Sequence, residues 1–150
     1  MKKIILILLT FLTFTNCGYS PIYSSKNFDF NIIKIDKLKK DRLNLTFEKR
    51  LNNLSDKQSM RQISLKINAK KQIITVSKDV RGDPSRYQMI IKLSLDIIND
   101  KNLKIQNNIQ QQFSYNTNSN KFALSQYEKE IEEILINKII EEVVKYLSKV

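Results

Sequence analysis

The chain of 150 residues lacks histidine and tryptophan and has only two glycines, two prolines and one cysteine. Without histidine it has no side chain that ordinarily titrates near neutral pH, and it lacks the commonest metal ligand. Gly18 and Gly82 are too few and too far apart to form a glycine-rich phosphate loop. No serine stands in a G-x-S-x-G or S-x-x-K setting. These absences predict a binding or structural protein that is not an enzyme and uses no cofactor or metal.

The charge of the chain is strongly one-sided. Lysine and arginine number 26 against 15 aspartate and glutamate residues, giving a formal charge of +11. Such a surface attracts anionic partners by long-range steering. Nucleic acid, phospholipid head groups and phosphorylated glycolipid are all candidates on charge alone. An AT-rich coding sequence would also enrich lysine and is the alternative explanation of the charge. The cellular compartment distinguishes among the three candidate partners.

The first residues indicate the compartment. Lys2 and Lys3 precede an apolar run of 11 residues, Ile4–Phe14. This length is typical of the hydrophobic region of a signal peptide, whereas a transmembrane helix needs about 20 residues. We therefore predict a signal peptide over residues 1–16, with an uncleaved N-terminal anchor as the alternative. Export makes nucleic acid an unexpected partner.

The single cysteine, Cys17, directly follows this leader. In an oxidising compartment a lone cysteine is expected to be paired between chains, reactive or chemically capped. Its position favours capping, as the acceptor of a bacterial lipoprotein signal: the thiol takes diacylglycerol, the leader is cleaved, and the new amine is acylated. Several acyl chains anchor a protein stably, because each buried methylene contributes about 0.8 kcal/mol. Asn16 and Phe14 depart from the small residue and the leucine that usually precede such a cysteine.

Residues 17–27 are small, polar or turn-forming and predict a tether, followed by a single domain over residues 28–150. The domain begins with a predicted strand over residues 28–36. An amphipathic helix is then expected to start near Asp41. One face of that helix is marked by Leu43, Phe47, Leu51 and Leu54.

Three further strands are predicted from alternating apolar residues. The first runs through Ile63 and Ala69, and a change of phase before Ile74 predicts a bulge near Lys70 and Lys71. The segment Arg81–Arg86 contains glycine, aspartate and proline and predicts a hairpin tip. The inward residues of the next two strands, joined by a turn over 99–102, are Tyr87, Met89, Ile91, Leu93, Leu95 and Ile97, then Leu103, Ile105, Ile109, Phe113 and Tyr115.

The last 30 residues predict a helix that opens with a capping box, Ser125–Glu128. Its apolar stripe is expected to contain Tyr127, Ile131, Ile134, Leu135, Ile139, Val143, Tyr146 and Leu147. Its polar face is expected to be solvated and to hold Glu128, Glu130, Glu132, Glu133, Glu141 and Glu142. The element order β-α-β-β-β-α predicts an α+β fold: a four-stranded, mainly antiparallel sheet with two helices packed on one face.

Three stretches resemble the LPS-assembly lipoprotein family, LptE, of Gram-negative outer membranes. CGYSPIY, residues 17–23, is similar to the family's cysteine-led opening. SRYQMIIKLSLDI, residues 85–97, is similar to its central strand, and FSYNTNSNKFALSQYEKE, residues 113–130, to its passage from strand to C-terminal helix. The final helix departs from the family in being richer in Ile, Glu and Lys than in Ala and Arg.

The resemblance implies two helices against a four-stranded sheet and a lipid anchor on Cys17, in the inner leaflet of the outer membrane and facing the periplasm. Gly18, the residue after the cysteine, is not the aspartate that retains lipoproteins in the inner membrane, so sorting to the outer membrane is expected. The resemblance also implies that the protein plugs a large β-barrel translocon subunit, helps that subunit assemble, and binds lipopolysaccharide. The alternative is a free-standing periplasmic binding lipoprotein without a barrel partner.

The resemblance assigns no residues to lipopolysaccharide. Charge and expected exposure instead suggest a basic set that runs along the second strand into the hairpin tip. Arginine is favoured there because its planar fork matches phosphate better than an ammonium group does. The predicted ligand-binding residues are Lys78, Arg81, Arg86, Lys70 and Lys71.

Overall fold

The computed structural model describes residues 28–99 and 104–149, which contain four strands and two helices. The predicted signal peptide, the tether with Cys17, Leu103 and most of the turn over 99–102 lie outside these residues. The elements in chain order are β1 (Asn31–Lys37), α1 (Arg42–Asn52), β2 (Gln62–Lys78), β3 (Pro84–Asn99), β4 (Lys104–Asn116) and α2 (Lys121–Leu147).

The strands form one sheet in the order β1-β2-β3-β4, and the predicted α+β fold is confirmed. β1 runs parallel to β2, while β2, β3 and β4 form an antiparallel meander. The parallel pair is joined by α1, as a crossover between parallel strands requires. α1 packs on β1 and β2, and α2 packs on β3 and β4 and also contacts α1.

The core lies between the helices and one face of the sheet. Alternate residues of β2 and β3 are buried, as their period of two predicted, and the residues between them are partly or fully exposed. Burying such apolar side chains stabilises the fold by about 25 cal/mol per Å² removed from water. The largest buried side chains are Phe30, Phe47, Leu51, Leu65, Ile67, Met89, Ile91, Leu93, Leu95, Ile97, Ile131 and Leu135.

The outer face of the sheet carries no helix within the described residues and is lined mainly by uncharged polar side chains. Across β3 and β4 it presents Gln88, Ser94, Gln106, Asn108, Gln110, Gln112, Ser114 and Asn116. Lysine and isoleucine interrupt this polar surface, for example where Lys70 of β2 is opposite Lys92 of β3. The domain is thus a two-layer structure with one bare polar side.

Two predictions about the strands are wrong. The first strand begins at Asn31, later than expected, although Phe30 just before it is completely buried. The pairing of β2 with β3 is regular past Lys70 and Lys71, and its shifts lie between Thr75 and Lys78. The apparent change of phase has another cause: beyond Ala69 both faces of β2 are exposed, so apolar residues no longer mark the core side.

The N-terminus of α2 also differs from the prediction. Asn120 is the N-cap, and its side-chain oxygen accepts from the backbone N–H groups of Phe122 and Ala123 at 3.0 and 3.1 Å. Asparagine is as good an N-cap as serine. The helix therefore starts before the predicted capping box, and Ser125 lies inside it. Of the expected stripe, Tyr127 and Ile134 are substantially exposed.

One buried side chain continues the pairing of β2 where β1 ends. β1 pairs as far as Ile67, whose carbonyl accepts from the N–H of Leu38 at 3.1 Å. At Ala69, the next residue of β2 to direct its backbone groups to this edge, the fully buried Asn44 of α1 takes the place of a strand residue. Its Oδ1 accepts from the N–H of Ala69 at 2.7 Å, and its Nδ2 donates to the carbonyl of Ala69 at 3.2 Å.

Asn44 is held in place by the N-cap of α1. Asp41 Oδ1 accepts from the backbone N–H of Asn44 at 2.9 Å and from its side-chain Nδ2 at 2.8 Å. The hydrogen bond from the Asn44 backbone keeps the pKa of the Asp41 carboxyl below its usual value. The cap that starts the helix thereby also orients the amide that ends the edge pairing of β2.

Replacing Asn44 with alanine should be strongly destabilising. Asn44→Ala leaves the buried N–H and C=O of Ala69 without partners, and each such group costs about 1–3 kcal/mol. We expect a loss of about 2–4 kcal/mol in the free energy of unfolding, measured by urea titration with circular dichroism. Asn52→Ala, at an exposed position of the same helix, serves as control. Equal stability of the two variants would contradict this role.

Candidate functional site

The hairpin that joins β2 and β3 has a well-defined turn. Asp79 Oδ1 accepts from the backbone N–H groups of Arg81 and Asp83, both at 2.9 Å. The Asp79 N–H donates to the carbonyl of Asp83 at 2.8 Å, and the Gly82 N–H donates back to Asp79 at 3.0 Å. Gly82 has φ of 89°, a conformation that side chains disfavour. The tip is therefore a structured loop that presents its side chains outward.

Three of the predicted ligand-binding residues lie at or beside this tip and are exposed: Arg81 in the turn, Lys78 at the end of β2 and Arg86 near the start of β3. None of them makes an ion pair with another described residue. Two carboxylates, Asp79 and Asp83, share the loop and offset part of the positive charge. Asp79 Oδ1 already accepts two hydrogen bonds from the turn backbone. Because no described carboxylate pairs with the two arginines, their guanidinium groups are available to an anion.

The other two predicted residues are not part of the tip. Lys71 lies about 23 Å from Lys78 along β2, at about 3.3 Å per residue. Lys70 and Lys71 also point to opposite faces, because successive side chains of a strand alternate. Lys71 is opposite Ile91 on the helix side, and Lys70 is opposite Lys92 on the outer side. The predicted set of five is therefore two groups.

Lys71 belongs to a charged cluster that connects three elements. Its Nζ contacts Glu132 Oε2 of α2 at 2.6 Å, and Arg42 of α1 contacts the other oxygen, Oε1, at 2.6 Å. The Glu132 side chain is only 8% exposed. The prediction that Glu132 lies on a solvated face is wrong, because two cations compensate its charge and let it be buried.

The spacing within α2 contained a signal for this glutamate. Glu132 follows Ile131 and precedes Ile136 by four residues, so it lies within the buried stripe. Other carboxylates of α2 also contact neighbouring elements: Glu133 pairs with Arg50 of α1, and Glu142 accepts from Gln111 of β4. The face that was expected to be solvated thus helps to attach α2 to the rest of the domain.

Near the N-terminus of α2, the hydroxyl of Tyr115 donates to Glu128 Oε1 at 2.7 Å. Burial of the phenol, followed by the hydrogen bond to this carboxylate, raises the pKa of Tyr115 well above its usual value. The phenol therefore stays protonated and remains a donor throughout the physiological range. Tyr127 packs edge-on against the Tyr115 ring, with ring centroids 6.2 Å apart.

Two further properties of residues 28–99 and 104–149 bear on function. No group of three or more His, Cys, Asp or Glu residues in these ranges is arranged to hold a metal ion. No helix there combines the length and the hydropathy that crossing a bilayer requires.

Solved structures of bacterial lipoproteins share this fold. Rare lipoprotein B of Shewanella oneidensis is 14% identical, with a TM-score of 0.53 over 78% of this chain and 94% of that one. A minor lipoprotein of Acinetobacter baumannii is 12% identical, with a TM-score of 0.58 over 81% and 92%. Lipoprotein B of Nitrosomonas europaea is 8% identical, with a TM-score of 0.57 over 81% and 86%. No protein-family model and no curated sequence matches the chain.

Removing the charge of Glu132 should weaken the contact between α2, α1 and β2. Glu132→Gln leaves Arg42 and Lys71 facing each other without a carboxylate between them. We expect the free energy of unfolding to fall by about 2 kcal/mol, less than for a fully buried pair because both cations are partly exposed. Urea unfolding measures this, and the control is Glu130→Gln, at an exposed glutamate of α2 that makes no ion pair with another described residue. A Glu132→Gln variant as stable as that control would contradict the structural role.

Proposed function

We propose that this protein is a lipid-anchored outer-membrane component of the lipopolysaccharide translocon, where it plugs a large β-barrel subunit and helps it assemble. The observation that carries the proposal is the shared fold with three bacterial lipoproteins over nearly their whole length. The cysteine-led stretch CGYSPIY at residues 17–23 agrees with it, because it supplies an acceptor for the anchor. The role needs no catalytic group.

The outer face of the sheet supports a plug. The lumen of a transmembrane β-barrel is polar, whereas the lipid-facing side is apolar. A protein that fills such a lumen needs a surface that exchanges hydrogen bonds with the wall. The uncharged row of β4, which includes Gln106, Asn108, Gln110 and Gln112, provides amide donors and acceptors for that purpose.

The hairpin tip supports a contact with lipopolysaccharide. Arg81 on the turn and Arg86 near the start of β3 are exposed, and no described carboxylate pairs with them. A guanidinium group binds phosphate through two parallel hydrogen bonds. In the proposed mechanism the anchor on Cys17 holds the protein at the periplasmic mouth of the barrel, and the tip meets the phosphates of arriving glycolipid.

The plug hypothesis is tested by the partner. We expect a mild-detergent pull-down of the tagged protein from native membranes to recover one large β-barrel at near-equal stoichiometry, identified by mass spectrometry. A variant with Cys17→Ala controls for the contribution of the anchor. Recovery of the acylated protein alone would instead favour a free-standing periplasmic binding lipoprotein.

The glycolipid hypothesis is tested at the tip. Charge reversal by Arg81→Glu with Arg86→Glu should weaken binding to immobilised lipopolysaccharide about tenfold, or about 1.4 kcal/mol. The circular dichroism spectrum should not change, because both side chains are exposed. The control, Lys57→Glu with Lys129→Glu, changes the net charge equally at exposed positions elsewhere. Equal losses in the two double variants would assign the effect to overall charge, and unchanged binding would exclude the tip.

A further inference from the structure

The distal half of β2 has an open edge. β1 stops pairing at Ile67, and Asn44 satisfies Ala69. Beyond that point no strand or helix within the described ranges pairs with this side of β2. All nine residues from Lys70 to Lys78 are exposed. An unpaired edge of this length offers hydrogen-bonding groups to another chain.

The backbone groups on that edge can be assigned. Ala69 directs both its N–H and its C=O toward α1. Alternate residues of a strand direct their backbone groups to the same edge. The N–H and C=O groups of Lys71, Ile73 and Thr75 therefore point to the open edge, like those of Ala69. Gln72 and Ile74, in contrast, face β3 and pair with Ile90 and Gln88. The edge therefore presents a regular row of donors and acceptors until the pairing shifts after Thr75.

The side chains along this edge are unusual for an unprotected strand. The stretch Gln72–Ser77 reads QIITVS and has no charge and no proline. Ile73, Ile74 and Val76 are 42%, 45% and 51% exposed. Stretches of this kind pair readily with other strands, and proteins usually cover them or interrupt them with charges. Here the charges lie only at the two ends.

Both ends of the edge are positive. Lys70 and Lys71 lie at one end. At the other end Lys78, Arg81 and Arg86 outnumber Asp79 and Asp83, and β2 itself has no acidic residue. A cavity of about 420 Å³ adjoins the first end, and Lys39, Arg42, Lys70 and Lys71 contribute to its lining. Its two carboxylates are already engaged, Asp41 by Asn44 and Glu132 by Arg42 and Lys71. An added strand with an acidic residue at each end would complement this pattern.

A second copy of this chain complements it poorly. An antiparallel pair of β2 edges centred on Ile74 would bring the lysine pair of one copy against Lys78 of the other. Like charges placed opposite each other across two strands are destabilising. The distribution of charge therefore favours a different, acidic segment over self-pairing.

We propose that the edge of β2 from Lys71 to Thr75 receives an extended segment of another protein as an added strand, and that this segment carries acidic residues at both ends. Backbone hydrogen bonds provide the affinity, and the terminal cations select the charge of the segment. The site adjoins the hairpin tip at Lys78 and does not depend on the barrel hypothesis.

The proposal is tested with a synthetic peptide of alternating valine and threonine with glutamates at both ends, added to the full-length protein in detergent. We expect binding by fluorescence anisotropy that weakens with salt. We also expect amide hydrogen exchange to slow at Lys71, Ile73 and Thr75. The amides of Gln72 and Ile74 serve as internal controls, because they already pair with β3. Binding without this alternating protection would overturn the proposal.

Two variants separate backbone from charge. Ile73→Pro removes one N–H group from the open edge, and proline is tolerated at such an edge position because that N–H is not paired within the sheet. The variant should weaken binding about tenfold. Lys70→Glu with Lys78→Glu keeps the backbone and should shift the preference to a lysine-ended peptide. Equal binding of both peptides to the unmodified protein would overturn the acidic specificity. A dimer in sedimentation that Ile73→Pro dissociates would identify a second copy as the occupant and would also overturn the proposal.

Discussion

The length of β2 relative to its neighbours is the constraint on which the rest of the structure depends. β2 has 17 residues, whereas β1 has seven and cannot cover its whole edge. α1 follows β1 and covers the same half, so the bulk of the core lies there and under α2. Asn44 ends the covered part without leaving Ala69 unpaired. The remaining half of β2 extends beyond the helix layer and carries the hairpin, the open edge and the free arginines.

Carboxylates of α2 hold this helix against the sheet, although the chain as a whole is strongly positive. Glu128, Glu132 and Glu142 of α2 each accept a hydrogen bond from β2 or β4. Most of these contacts are partly exposed and individually weak. Glu132 differs, because it is buried and holds cations of two other elements. These carboxylates are therefore engaged within the fold, whereas Arg81 and Arg86 of the distal half make no ion pair with a described residue.

Much of the fold could be predicted from the sequence because the meander alternates cleanly where one face is buried. The alternation of Met89 to Ile97 predicted β3, and Gly82 with its neighbours predicted the tip. The prediction failed where burial stops. Past Ala69 both faces of β2 are exposed to solvent, so the position of Ile74 suggested a bulge near Lys70 and Lys71 that is absent. The separation of Lys70 from Lys71 follows from strand parity. The burial of Glu132 depends on Arg42 and Lys71, which are remote in sequence and meet only in three dimensions.

The parallel pairing of β1 has a consequence for the order in which the domain assembles. β2, β3 and β4 are joined by short connections, whereas Asn31 of β1 must find Gln62 across the whole of α1. Contacts between residues close in sequence form faster than contacts that close long loops. The meander is therefore expected to form first, with β1 and α1 docking onto it afterwards. The strand that continues directly from the N-terminal segment is then the last to join the sheet, and a pull applied to that segment would load it first.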